Sequence, residues 1–169
     1  MNTNLKPKLA RFATATAFIC PICKEELQLM ENSLKCHHRH SYDLAKFGYV
    51  NLAPQVKQSK DYDKTSFQNR QLILEAGFYQ QISDSLLQIL KEEPTLKTVL
   101  DVGCGEGYYT RKIQEHFSDK MLYAFDISKD SVQLAAKSDS SLAVNWFVGD
   151  LAKLPLQDAS MNIILDIFS

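Results

Sequence analysis

Apolar positions change their spacing along the 169-residue chain, and the change divides it. Over residues 67–90, Leu74, Phe78, Ile82, Leu86 and Ile89/Leu90 recur in steps of three and four, the spacing of an amphipathic helix, with Pro94 closing it. Residues 98–102 (Thr-Val-Leu-Asp-Val) then form a short β-rich run that enters Gly103-Cys104-Gly105-Glu106-Gly107. Helix is predicted again over 108–117 and 128–136, and strand over 121–125, 144–148 and 162–167. Strands alternating with helices predict an α/β fold, Rossmann-like, with about four parallel strands and a ligand crevice at their carboxyl ends.

Ahead of this half neither period is sustained. Residues 18–53 read as a small cysteine- and histidine-rich module, and 54–66 as a polar linker with Lys57, Lys60 and Lys64. Residues 1–17 carry Lys6, Lys8 and Arg11 with no apolar signal core, so a mobile basic tail is expected there. Charge sharpens the division. The net charge of −1 conceals eleven Lys/Arg against six Asp/Glu in residues 1–70, and eight against fourteen in 71–169. A basic module that meets an anion, joined to one that does not, fits that asymmetry. No stretch approaches the ~20 consecutive apolar residues of a membrane-spanning helix.

The cysteines define the chemistry of the first module. Cys20, Cys23 and Cys36 fall within seventeen residues, while Cys104 stands alone in the glycine-rich turn. That distribution suits reduced, metal-bound thiolates in the cytoplasm better than a disulfide framework. Cys20-Pro21-Ile22-Cys23 is one chelating knuckle, and the stretch from Cys36 to His40 is the second. Three thiolates and one imidazole complete a tetrahedral zinc shell with no open position, so the ion is structural. His37 follows Cys36 too closely to share its ion, which leaves His38 and His40; the spacing C-x3-H favours His40. So small a unit has no room for its own core, and the metal supplies folding energy. Downstream, Tyr42, Phe47 and Tyr49 interleave with Lys46. Two readings stand: the rings stack on unpaired bases, or they pack over the zinc site.

In the second half, Asp101-x-Gly103-x-Gly105-x-Gly107 carries an acid where a bare pyrophosphate would be repelled. Asp126 ends the second strand, where a carboxylate can accept from both ribose hydroxyls. Asp150 ends the third, placed to accept from an exocyclic amine beside the Leu151 N–H. A crevice with three acidic tips fits a nucleoside carrying an amino-acid tail.

The run from Val99 to Thr110 resembles motif I of class I S-adenosylmethionine-dependent methyltransferases. Combined with Cys-Pro-Ile-Cys, Cys-x3-His and Lys-Phe-Gly-Tyr-Val-Asn-Leu from Lys46, it resembles the bacterial 23S rRNA (guanine-N1)-methyltransferases of the RlmA type. The resemblance implies S-adenosyl-L-methionine and one structural zinc as cofactors, 23S rRNA as partner and a homodimer. It implies zinc on Cys20, Cys23, Cys36 and His40, and cofactor contacts at Tyr79, Tyr109 and Thr110. For the turn (Asp101, Gly103, Gly105, Gly107), Asp126, Asp150 and Leu151, the wider superfamily implies methionine-tail, ribose and adenine contacts. The implied reaction moves a methyl group to N1 of an unpaired guanine in an rRNA hairpin. Asp166 stands at a strand end suited to a proton acceptor, but no catalytic residue is assigned.

There are departures. Tyr62-Asp63 and Phe67 replace a Gly-Asp pair and a Met usual in relatives, whereas Arg70 fits, and Asn162 stands where Asp is common. Relatives also continue beyond Ser169, so a fragment is expected, with Ile163, Ile164, Leu165 and Ile167 left on a sheet edge. Two rivals follow: a small-molecule methyltransferase with a merely structural zinc module, and a non-catalytic RNA-binding remnant.

Overall fold

The computed structural model describes residues 7–61 and 63–167; Lys6 and Tyr62, singled out above, lie outside the described residues. The chain begins with a helical turn, α1 (Pro7–Ala10), continued by a 3-10 turn over Arg11–Ala13. Three short strands follow, β1 (Gln28–Met30), β2 (Ser33–Lys35) and β3 (Ser41–Asp43), paired antiparallel in that order. Next come β4 (Tyr49–Asn51), α2 (Lys64–Glu75), α3 (Gln80–Lys91), β5 (Thr98–Val102) and α4 (Tyr108–His116). The remaining elements are β6 (Met121–Asp126), α5 (Lys129–Ser138), β7 (Asn145–Val148) and β8 (Ile163–Asp166).

The main sheet has the order β4-β7-β6-β5-β8, with every pair parallel. It is the expected α/β architecture with one more strand than the sequence suggested. The addition is β4, which follows the metal module directly and pairs Tyr49 with Trp146 and Asn51 with Val148. An unpaired β7 edge would leave backbone donors and acceptors open, and β4 satisfies them.

Side-chain alternation explains how the halves join. Leu100, Val102, Tyr123, Phe125 and Phe147 point to one face, where they pack with Phe12, Phe18, Leu27, Leu34 and Tyr42. Val99, Leu122, Ala124, Trp146 and Val148 point to the other, against Ile113 of α4 and Val132 and Ala135 of α5. The central strands β5, β6 and β7 are thus buried on both sides, as a parallel sheet requires, but one cover is the metal module instead of a helix layer. Phe18 is 0% exposed and meets Tyr123 and Phe147 edge-on, with ring centroids 5.2 Å apart in both pairs.

Two expectations need correction. The mobile basic tail is not mobile from Pro7 onward: Leu9, Phe12, Ala15 and Ala17 are buried. Arg11 also reaches Asp139 across a 3.0 Å ion pair closed from solvent. The helix predicted over 67–90 is two helices, because Gly77 takes φ +88° and breaks the ladder between α2 and α3. Asp63 caps α2, its carboxylate accepting from Ser66 N at 3.0 Å. The expected apolar edge is present: β8 pairs with β5 alone, and Ile164 is 64% exposed.

Candidate metal centre and cofactor crevice

The metal module brings its four expected ligands together. The ligand atoms of Cys20, Cys23, Cys36 and His40 all lie within 4.8 Å of one another. Cys23 Sγ is 3.6 Å from Cys36 Sγ, and His40 Nδ1 is 3.5 Å from Cys20 Sγ and 3.3 Å from Cys36 Sγ. A zinc tetrahedron with Zn–S bonds of ~2.3 Å has edges of about 3.8 Å, so the donor set fits zinc in size and in chemistry. Both knuckles turn through left-handed residues, Lys24 at φ +65° and Arg39 at φ +68°. Lys24 N donates to Cys20 O, and Arg39 N to Cys36 O. Burial works against ionising Cys20, yet the Tyr42 hydroxyl and the N–H groups of Cys23 and Ile22 prevail and bring the thiol down to about 6. A thiolate at neutral pH is what the metal needs. Tyr42 therefore packs over the metal site, its hydroxyl 3.4 Å from Cys20 Sγ. Tyr49 is buried in the sheet, its hydroxyl donating to Gln133. Neither ring is a stacking platform; of the three, only Phe47 stays near the surface.

At the carboxyl ends of β5 and β6, Gly103, Gly105 and Gly107 all have positive φ. Gly107 is sterically required, because a Cβ there would lie 2.6 Å from the Trp146 ring. The turn is bound to β6 through Asp126, whose Oδ2 accepts from Gly105 N at 3.0 Å and Oδ1 from Ser128 N at 2.9 Å. Each carboxylate oxygen retains a further acceptor site. Gly103, Gly105, Asp126, Ile127 and Ser128 line a cleft of about 430 Å³, together with Lys57, Gln58, Ser59, Phe67 and Arg70. A second cleft of about 470 Å³ is lined by Ser66, Asn69, Arg70, Ile73, Leu74, Tyr79 and Tyr109. Arg70 belongs to both walls.

The sequence-predicted residues take different places. Tyr79 and Tyr109 meet in the second cleft, Tyr79 45% exposed and Tyr109 buried with its hydroxyl unpartnered. Asp101 is no open acidic tip: it is buried and accepts from Thr110 Oγ1 at 2.5 Å. Burial, opposed by that hydrogen bond and reinforced by Asp126, Asp166 and Glu106, pushes its carboxyl up to about 7. Asp150 stands beyond β7 and caps the 3-10 turn Leu151–Lys153 by accepting from Ala152 N at 2.9 Å, while Leu151 is exposed.

Two cleft residues were missed as site residues in the sequence. Gln58 donates to Ile127 O and accepts from Lys129 N, so the linker forms a wall over the β6–α5 loop. Nothing in its neighbourhood marks it, since a lone glutamine in a polar linker has no pattern. Arg70 has its Nε 3.5 Å from the buried Glu106 carboxylate, which burial makes harder to ionise. Its register with Leu74, one turn on along α2, was the available sign.

Residues 18–60 match the family described as RlmA, N-terminal (zinc ribbon), and residues 99–169 match a methyltransferase domain family. A structure from Methanococcus maripaludis, provisionally described as an S-adenosyl-L-methionine-dependent methyltransferase, superposes with a TM-score of 0.56 at 25% identity. The alignment covers 68% of this chain and 54% of that one. Fold and domain matches together define a class I methyltransferase domain preceded by a zinc ribbon. A Bacillus subtilis (strain 168) protein provisionally named 23S rRNA (guanine-N1)-methyltransferase YxjB is 33% identical over 95% of this chain and 59% of its own length. The 23S rRNA (guanine(748)-N1)-methyltransferase of Streptomyces fradiae is 27% identical over 89% of this chain and 54% of its own. The chain is similar to these relatives over most of its own length and spans somewhat over half of theirs.

Proposed function

We propose that this chain supplies the cofactor crevice and the RNA-docking ribbon of an S-adenosyl-L-methionine-dependent 23S rRNA (guanine-N1)-methyltransferase working in the cytoplasm. The observation that carries the reading is that a Cys3His ribbon and the glycine turn with Asp126 are built on one sheet, through β4. A small-molecule methyltransferase has no need of a ribbon packed on its sheet within a segment, residues 1–70, that carries eleven Lys/Arg against six Asp/Glu.

Cys20, Cys23, Cys36 and His40 hold the structural zinc. When bound, S-adenosyl-L-methionine supplies an activated methyl group on a good leaving group, so the protein's work is alignment and exclusion of water. Asp126 is suited to the ribose hydroxyls and the backbone of the glycine turn to the amino-acid tail. Arg70 offers a guanidinium edge where the two clefts meet, suited to the tail's carboxylate. Tyr79 and Tyr109 wall the path from that tail. Guanine N1 lies on the Watson–Crick edge and carries a proton, so the base must be unpaired and its proton accepted. Asp166, ending β8 opposite Val102, is a candidate for that acceptor.

The test is calorimetric titration of the zinc-loaded chain with S-adenosyl-L-methionine. Micromolar binding that Asp126→Ala abolishes is the expected result, followed by methylation of an rRNA hairpin assayed with the full-length relative as reference. A folded, zinc-replete chain that binds no cofactor refutes the crevice assignment.

A further inference from the structure

Three lysines from separate segments converge on one ring. Lys8 in α1, Lys46 in the turn before β4 and Lys137 near the end of α5 place their Nζ atoms 5.9, 4.9 and 4.3 Å from the centroid of Phe47. The cluster is held by the fold. Gly48 takes φ +94°, and a Cβ there would lie 2.9 Å from Lys8 O and 2.8 Å from Arg11 Nη2, so the turn sits directly on α1. Arg11 in turn is fixed to Asp139, two residues beyond Lys137, at 3.0 Å. The contacts that join α1, the turn and α5 therefore also set the three ammonium groups around Phe47.

Among the described residues, no ion pair answers their charges. Asp139 offsets Arg11, but among the described residues no carboxylate comes within 4.0 Å of Lys8, Lys46 or Lys137. The ring face attracts cations without neutralising them. Three uncompensated positive charges within about 6 Å of one point, two of them on exposed side chains, form an anion site. Its position suits a chain of phosphates. Phe47 precedes β4, whose Asn51 pairs with Val148, itself the partner of Asp126 at the crevice. At ~3.3 Å per residue along β4 and ~4.8 Å for each of the two strand spacings, the site at the amino end of β4 lies on the order of 16 Å from Asp126, a span along which a nucleic-acid strand carries several phosphates.

We infer that Lys8, Lys46 and Lys137, gathered on Phe47, anchor the phosphate backbone of the RNA whose target base enters the crevice. The inference rests on the rRNA reading above and adds where the backbone is gripped. The experiment measures fluorescence anisotropy of a fluorescein-labelled RNA hairpin with the zinc-loaded chain at about 50 to 200 mM KCl. The wild type is compared with the triple variant Lys8→Gln/Lys46→Gln/Lys137→Gln and with the corresponding triple Lys→Arg variant. In the Gln variant the slope of log K against log salt becomes shallower by about 2 to 3, at ~0.7–0.9 per lost phosphate contact, while the Arg variant keeps the wild-type slope. Unchanged S-adenosyl-L-methionine binding reports that the Gln variant is folded. Where the triple variant does not fold, Lys46→Gln alone, on an exposed side chain, lowers the slope by ~0.7–0.9. A wild type that binds RNA with a slope the Gln substitutions leave unaltered overturns the anchor but not the rRNA reading. A wild type with no affinity for the hairpin at any salt overturns both.

Discussion

The zinc ribbon and the parallel sheet share one hydrophobic core but are held together by different means. The sheet's central strands are buried on both faces, and Trp146, Tyr123 and Phe147 sit fully enclosed between layers. The ribbon's strands are three residues each, and its buried side chains Leu27, Leu34 and Tyr42 share one cluster with Leu100, Val102, Tyr123, Phe125 and Phe147 of the sheet. One region folds by layer packing and the other by chelation plus borrowed surface. The ribbon is thus less an appended domain than the second cover of the sheet.

Three perturbations bear on that contrast, from the largest effect to the smallest. Removing zinc with a chelator, or substituting Cys36→Ser, takes away a metal contribution of the order of ~10–16 kcal/mol. Because Cys20 and Cys36 lie in the same cluster as Phe125 and Phe147, the sheet's ribbon face is uncovered too. Dye binding to exposed apolar surface and loss of cofactor binding should rise together with zinc release. A chelated sample that still binds cofactor with wild-type affinity would separate the two regions. Next, Arg11→Met leaves Asp139 buried without its cation, retaining the Trp146 indole N–H at 2.9 Å. Breaking a buried pair this way costs about 3–5 kcal/mol, read as a shift of the urea midpoint. A shift under about 1 kcal/mol would return residues 7–17 to the status of a tail.

The smallest effect concerns the sheet alone. Asp101 holds its proton up to about 7 in the folded chain, against 3.8 for an unperturbed carboxyl. Between those values the native state binds the extra proton, so this group's contribution is fullest at low pH and is lost as pH rises toward 7. Asp101→Asn cannot ionise and lacks that decline. With zinc in excess, the urea midpoint of the variant relative to wild type should rise from pH 5 to 7 and level off above. Parallel curves would mean that Asp101 is already ionised at pH 5.

Much of the sheet was legible because doubly buried strands write themselves as continuous apolar runs: β5 was bounded as found, and β6, β7 and β8 to within a residue at each end. The ligand set of the ribbon was legible from spacing, since two chelating knuckles leave few ways to close a tetrahedron. What failed was everything that depends on a distant partner. Tyr49-Val50-Asn51 has no periodicity of its own, and only β7 makes it a strand. Leu9 and Phe12, spaced a helical turn apart, were hidden behind Lys8 and Arg11, whose charges suggested a solvated tail. Gln58 became a site residue only when the linker folded over the β6–α5 loop. Asp101 looked like a ligand-facing acid because sequence shows a carboxylate at a strand end but not the Thr110 side chain that covers it.

The strand donated by the ribbon also sets an order of events during folding. The knuckles and the β1–β3 ladder are local, closing loops of a dozen or so residues as soon as metal is present. The ties that lock this module to the sheet span far more chain, with 84 residues between Tyr49 and Gln133 and 128 between Arg11 and Asp139. Contacts of such sequence separation form late and slowly. The ribbon therefore takes up its metal early and waits, its sheet-facing side chains Phe18, Leu27 and Leu34 unsheltered, until β7 arrives to receive β4. Until that pair closes, these side chains lack the cover that the sheet provides in the folded chain.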